Sequence, residues 1–195
     1  MMLRLTQNLL VMATILLVTL LSSCSSSPDP SLISDKPLSA SAPITQPSAV
    51  TQKLYQLTSE YRRKQGRSQL TKHPLLVTLS LEHSRFLARE NARGVGLRSI
   101  CHKHFDTRNR FSENKIRYSL SENVVWTSEN PELDPAEEMF RLLINSPSHR
   151  KALNSKISSI MGFAVVKSNG RYYATQLFGR KAPARMQQSP FVFSM

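Results

Sequence analysis

Two histidines and a glutamate, His102, Glu122 and His149, stand in polar motifs on three separate stretches of the chain. Neutral imidazole is a common zinc ligand, and a carboxylate serves as a third ligand or as the partner of a ligating ring. Three such groups on three elements could leave a position open for water, which is the layout of a catalytic metal site. The same residues also have a structural use. Glu122 can accept backbone N–H bonds, Asn123 can fix the adjacent turn, and His149 can tie a helix to a strand. Residue type alone leaves both uses open. Nucleophilic chemistry has less to stand on. Ser146 and Ser148 lie close to His149, but serines at a helix start serve mainly as caps, and no elbow of the Gly-x-Ser-x-Gly kind occurs. Cys101 adjoins His102, yet adjacent side chains seldom face each other and catalytic partners normally come from distant parts of a chain. Cys101 reads as a small buried hydrophobe. His83 reads as a helix-face residue, His73 as an exposed cap beside Pro74, and Trp126 as core or the wall of a cleft.

The elements that must position these groups follow from periodicity. Val50, Leu54, Leu57 and Tyr61 recur at helical spacing and predict a helix ending near Gln65-Gly66. A second helix starts at Thr71 to His73, with Pro74 in its first turn. Leu75, Leu76, Leu79, Phe86 and Leu87 give it an apolar stripe, and Gly94 and Gly96 end it. Ser99 to Tyr118 is polar and irregular, with one short helix expected around Asp106 to Ser112. Glu122 to Trp126 reads as a short strand. Asp134-Pro135-Ala136-Glu137 predicts a capped helix start closed by a capping box, leading into Met139, Phe140, Leu142 and Leu143. Ser146-Pro147 opens another short helix through Leu153. The period then changes to two: Ile160 to Val166 and Arg171 to Phe178 are strands joined by Asn169-Gly170, a strong hairpin signal. Helices first, then a strand, more helices and a closing hairpin predict an α+β fold with helices layered on a small antiparallel sheet.

Four motifs stand in order on these elements: His102-Lys103-His104-Phe105-Asp106-Thr107-Arg108; Ser121-Glu122-Asn123-Val124; Asn145-Ser146-Pro147-Ser148-His149-Arg150; and the strand Tyr172 to Gly179. Together with Tyr61-Arg62 in the first helix, they resemble the CAP superfamily (SCP or pathogenesis-related-1-like proteins) in its bacterial form. The resemblance covers nearly all of residues 50–179. It implies a three-layer α-β-α sandwich with a central cleft that holds two histidines and one or two glutamates. In some members this cleft binds zinc or another divalent ion. His102 matches the first histidine of the bacterial His-x-x-Phe-x-x-Arg spacing, Glu122 the glutamate of Glu-Asn-Val, and His149 the histidine of Ser-Pro-x-His-Arg. His104 stands where many members have a small residue, and Leu143 where bacterial members usually have Trp. Glu137 and Glu138 are nearby candidates for a second cleft glutamate.

The N-terminus directs the chain out of the cytosol. Arg4 precedes an apolar stretch, Leu9 to Leu21, of signal-peptide length and short of the roughly 20 residues of a spanning helix. It ends in Leu21-Ser22-Ser23-Cys24, which resembles the bacterial lipobox, in which the cysteine is acylated and becomes the new N-terminus. Acyl chains contribute about 0.8 kcal/mol per buried CH₂. Ser25, in place of Asp, favours the outer membrane where there are two membranes. The expected organisation is a signal peptide over 1–23, a Ser/Pro-rich tether over 24–49, one domain over 50–179 and a basic tail over 180–195.

The net charge is +13, and only Arg4 of the cations lies in the leader. In a cytosolic protein this would suggest nucleic acid. In an exported one it points to anionic envelope lipids or glycans, and no nucleic acid is expected. Two functional readings result. One is a lipid-anchored binding module of the cell envelope, meeting lipid, glycan or protein. The other is a divalent-metal-dependent hydrolase acting on peptide or ester bonds there, with His102 and His149 holding the ion and Glu122 activating water.

Overall fold

The hairpin is built as its sequence directs. Asn169 and Gly170 both take positive φ (50° and 66°), the conformation of a type I′ turn, which matches the twist of its flanking strands. It joins β3 (Ser158–Ser168) to β4 (Arg171–Lys181). The structure is a computed structural model and describes residues 43–183. The expected signal peptide, most of the expected tether and most of the basic tail lie outside the described residues. Within them run α1 (Ser48–Lys64), β1 (Thr71–Lys72), α2 (Pro74–Ala92), α3 (Leu97–Ile100), α4 (Phe105–Ile116), β2 (Tyr118–Ser128), α5 (Pro135–Asn145) and α6 (Pro147–Leu153), followed by the hairpin.

The sheet order is β1-β3-β4-β2. The three long strands pair antiparallel. The two-residue β1 joins β3 in parallel, so the sheet is mixed where a purely antiparallel one was expected. Strand alternation divides the apolar residues between two faces. Val125, Met161, Phe163, Val165, Ala174 and Phe178 share a core with Leu54 of α1, Met139, Leu142 and Leu143 of α5, and Leu153 of α6. On the opposite face Val124, Trp126, Val166 and Tyr173 meet Leu87 and Ala88 of α2 and Leu97 and Ile100 of α3, while Ile160 and Leu177 meet Leu76 and Leu79. Helices on both faces of one sheet make the three-layer α-β-α sandwich.

Small residues let α2 lie close to the sheet. The hydroxyls of Ser80 and Ser84 donate to the carbonyls of Gly162 and Ala164 at 2.7 and 3.2 Å. A Cβ on Gly162 would sit 2.3 Å from the Leu76 carbonyl carbon, so glycine is required there by close approach. On the other face Arg62 of α1 is buried. It donates to the carbonyls of Ser68, Leu153 and Ser155, fastening the end of α1 to the end of α6.

Four local expectations are corrected. Helix α4 spans Phe105–Ile116 and strand β2 spans Tyr118–Ser128, both longer than their apolar content predicts. Tertiary hydrogen bonds hold them together: Asn109 Oδ1 accepts from the Leu120 N–H at 2.6 Å, and the Ser119 hydroxyl donates to Glu113 at 2.7 Å. Asp134 caps α5, accepting from the N–H groups of Ala136 and Glu137. Glu137 does not return the bond as a capping box would; it pairs with Lys53 of α1 at 2.7 Å. Ser146 precedes α6 without a side-chain cap bond, and its hydroxyl lies 3.1 Å from that of Ser148.

Candidate functional site

Strand β2 is an edge strand, and consecutive residues on it face opposite layers. Glu122 therefore turns toward α2 and α4, and Asn123 toward α6. The Asn123 amide donates to the His149 carbonyl at 3.2 Å and to Gln176 Oε1 at 3.3 Å, which fixes the start of α6 against β2. Pro147 in the first turn starts α6 at that point. These contacts bring His102, Glu122 and His149 to the wall of one cavity of about 340 Å³, together with Ser148, Lys151 and Arg180.

Glu122 is almost fully enclosed, with its side chain 1% exposed, and its charge is matched. Arg108 of α4 donates to Oε2 from Nε at 3.0 Å and from Nη2 at 2.6 Å. His102 Nδ1 donates to Oε1 at 3.1 Å. The remaining Nη1 of Arg108 donates to the Lys103 carbonyl, so Arg108 also holds the loop that carries His102. On the far side of Glu122, His83 of α2 places Nε2 3.9 Å from Oε1 and donates it to the Cys101 carbonyl at 2.7 Å. Burial lowers the His83 pKa to about 4 despite the neighbouring carboxylate.

His149 is different. It is buried (2% exposed), and among the described residues neither ring nitrogen, both enclosed, has a hydrogen-bond partner. Burial, with a smaller contribution from His102, lowers its pKa to about 4, so the ring is neutral at pH 7. A buried polar group without a partner costs about 1–3 kcal/mol, and this one lines a cavity.

A resident divalent ion does not fit this donor set as it stands. Both Glu122 oxygens are engaged by Arg108 and His102, and among the described residues no three His, Cys, Asp or Glu side chains converge to hold a metal. The other sequence candidates lie elsewhere. His104 is exposed, stands just before α4 with φ 63° and no side-chain cap bond, and meets the Phe86 ring edge-on at 5.7 Å. Glu137 is bound to Lys53, and Glu138 to Arg141 at 2.7 Å; neither lines the cavity. Their place in the first turn of α5 points them to surface cations, so neither supplies a second cleft glutamate. Trp126 is core. Sequence reasoning missed the roles of His83 and Arg108. A signal for His83 was present: Leu76, Ser80, His83, Ser84 and Leu87 share one helical face, all buried.

No family model and no curated protein matches the sequence. Solved structures do match. An outer surface protein from Borrelia burgdorferi superposes with TM-score 0.56 at 17% identity, over 72% of this chain and 98% of that one. An extracellular protein containing an SCP domain from Bacillus anthracis gives TM-score 0.52 at 19% identity, over 69% of this chain. A cysteine-rich secretory protein from Staphylococcus aureus gives 0.50 at 21%, over 71% of this chain. The chain spans 41% of the length of each of the last two. The three-layer sandwich, the order of its elements and these superpositions together show that the chain has the bacterial CAP (SCP) fold.

Proposed function

We propose that the chain is an exported binding module of the cell envelope, anchored by lipid on Cys24, whose cavity beside β2 takes a ligand. The observation that carries this reading is His149, a residue of the cavity wall whose enclosed ring nitrogens have no partner among the described residues. A polar group held in this way is costly unless something outside the fold completes its hydrogen bonds. The Glu122–Arg108–His102 cluster beside it is already complete, so it shapes the wall and holds His102 in place. Export is supported by the apolar leader ending in Leu21-Ser22-Ser23-Cys24 and by the printed descriptions of the similar structures as outer surface, extracellular and secretory proteins. Among the described residues no helix is long and apolar enough to cross a membrane.

The metal-dependent hydrolase is the weaker reading, because the carboxylate that would activate water is bound by an arginine. The test is thermal unfolding with and without a small-molecule extract of envelope lipids and glycans. The expected result is a saturable rise in Tm for the wild type that His149→Leu abolishes. If wild type and variant respond alike, or neither responds, the binding reading fails.

A further inference from the structure

The end of the sheet away from the hairpin is basic. Lys151 and Arg180 stand on the cavity rim with Ile157. Arg180 also borders a neighbouring hollow with Arg117, whose carbonyl accepts from the Ala182 N–H at 2.8 Å. Lys181 lies opposite Tyr118 at the start of β2, and Lys156 precedes Ile157 between α6 and β3. All five cations are exposed, and among the described residues none is held in an ion pair. The acids near them are Glu122, matched by Arg108, and Glu113, which accepts from Asn109 and Ser119. The hairpin end differs. There Glu129 pairs with Lys167, and in the segment after β2 Asp134 and Glu137 hold Lys53 while Glu138 holds Arg141. Positive potential is therefore concentrated at one end of the domain. Ile157 adds an apolar element to that end. It is 66% exposed, more than any other large apolar residue among those described. A single exposed isoleucine is ordinary. One set among uncompensated cations has the make-up of an interfacial element, whose apolar tip enters the acyl boundary while lysine and arginine meet the headgroups.

We propose that this end of the domain is a docking surface for an anionic bilayer, with Ile157 inserted and Arg117, Lys151, Lys156, Arg180 and Lys181 on the headgroups. A soluble polyanion would satisfy the cations but offers no apolar phase to Ile157, so the bilayer is the occupant that uses the whole surface. The attraction is spread over separate side chains and needs no preformed anion site. It is independent of what the cavity takes. Under the proposed anchor at Cys24, residues 25–44 span up to about 70 Å when extended, enough to lay this end on the leaflet that holds the lipid. Because Lys151, Ile157 and Arg180 also line the cavity, docking sets the cavity against the headgroup layer.

The chain after the leader, carrying Cys24→Ser so that no acyl group intervenes, is sedimented with mixed phosphatidylglycerol–phosphatidylcholine vesicles and with phosphatidylcholine vesicles. Binding is expected to the mixed vesicles alone, weakening steeply between low and high salt. A Lys156→Gln, Arg180→Gln double variant should bind about 25-fold more weakly, about fivefold for each cation near the surface. An Arg85→Gln, Arg89→Gln double variant, which removes the same charge from the exposed side of α2, should change binding little. Ile157→Ser should weaken binding about fivefold or more without moving the urea midpoint, because the side chain it replaces is already largely in water. His149→Leu should bind vesicles as the wild type does. Three outcomes overturn the proposal. Absence of binding to the mixed vesicles removes the surface outright. Equal loss in the two double variants assigns the attraction to overall charge. Binding indifferent to Ile157→Ser assigns it to a polyanion without an apolar phase. If the envelope extract raises Tm through His149 while no vesicle binds, the docking surface falls and the binding module stands.

Discussion

Glu122 and Arg108 form an enclosed ion pair, and the cost of breaking it is set by what remains. Glu122→Ala leaves the Arg108 guanidinium without its carboxylate and frees the loop that carries His102. The expected destabilisation is about 3–5 kcal/mol, read as a lowered urea midpoint with unchanged slope. His149→Leu runs the other way. It removes two buried nitrogens that bond to nothing among the described residues and keeps an apolar side chain, so stability should hold or rise while ligand response is lost. The two buried histidines also set the acid limb of stability. Both His83 and His149 are held at about 4 by burial, below the ordinary value near 6.5. The unfolded chain therefore takes up protons that the folded one refuses. Stability is full above about pH 6.5 and falls as the pH drops toward 4. Urea midpoints at pH 7 and pH 4.5 should differ for the wild type and differ less in a His83→Gln, His149→Leu double variant. The roles of these residues were unequally legible. His102, Glu122 and His149 stand in recognisable motifs. That Glu122 is engaged by an arginine, and that His149 is the one left open, depends on distances that no spacing in the sequence records.

The elements read most clearly were those whose own residues decide them. The Asn169-Gly170 hairpin and the stripes of α1, α2 and α5 are local or periodic signals, and the structure reproduces them. Helix α4 and the start of β2 were underestimated because their stabilisation is not local: charged and polar residues hold them through Asn109, Glu113 and Arg108. Strand β1 is two residues long and has no period to detect. Two substitutions probe this level. Asp134→Ala removes the cap of α5, with an expected loss of about 1 kcal/mol. Gly162→Ala drives a methyl group into the α2 backbone at Leu76, and the helix has to move off the sheet. The expected cost is about 3 kcal/mol, at the upper end of overpacking effects, measured by urea unfolding. A milder result would mean that α2 can slide on β3.

At the scale of the whole molecule, the proposed anchor makes the simplest prediction. Cys24→Ala should move the protein from the membrane fraction to the soluble fraction of the envelope, with folding of the domain unchanged. The tether meets the domain at a defined place. Thr45 bridges to Lys167 through both backbone hydrogen bonds, beside the hairpin turn. The cavity is lined by Ser158 and Arg180 at the opposite ends of the same two strands. Along β3 that separation is about 30 Å, at ~3.3 Å per residue. Residues 25–44 can extend at most about 70 Å. Under the proposed anchor, the cavity lies at the end of the domain farther from the point where the tether joins it. Because the reach of the tether exceeds that separation, the cavity is free to sweep both the aqueous space beyond the membrane and the headgroups of its own leaflet.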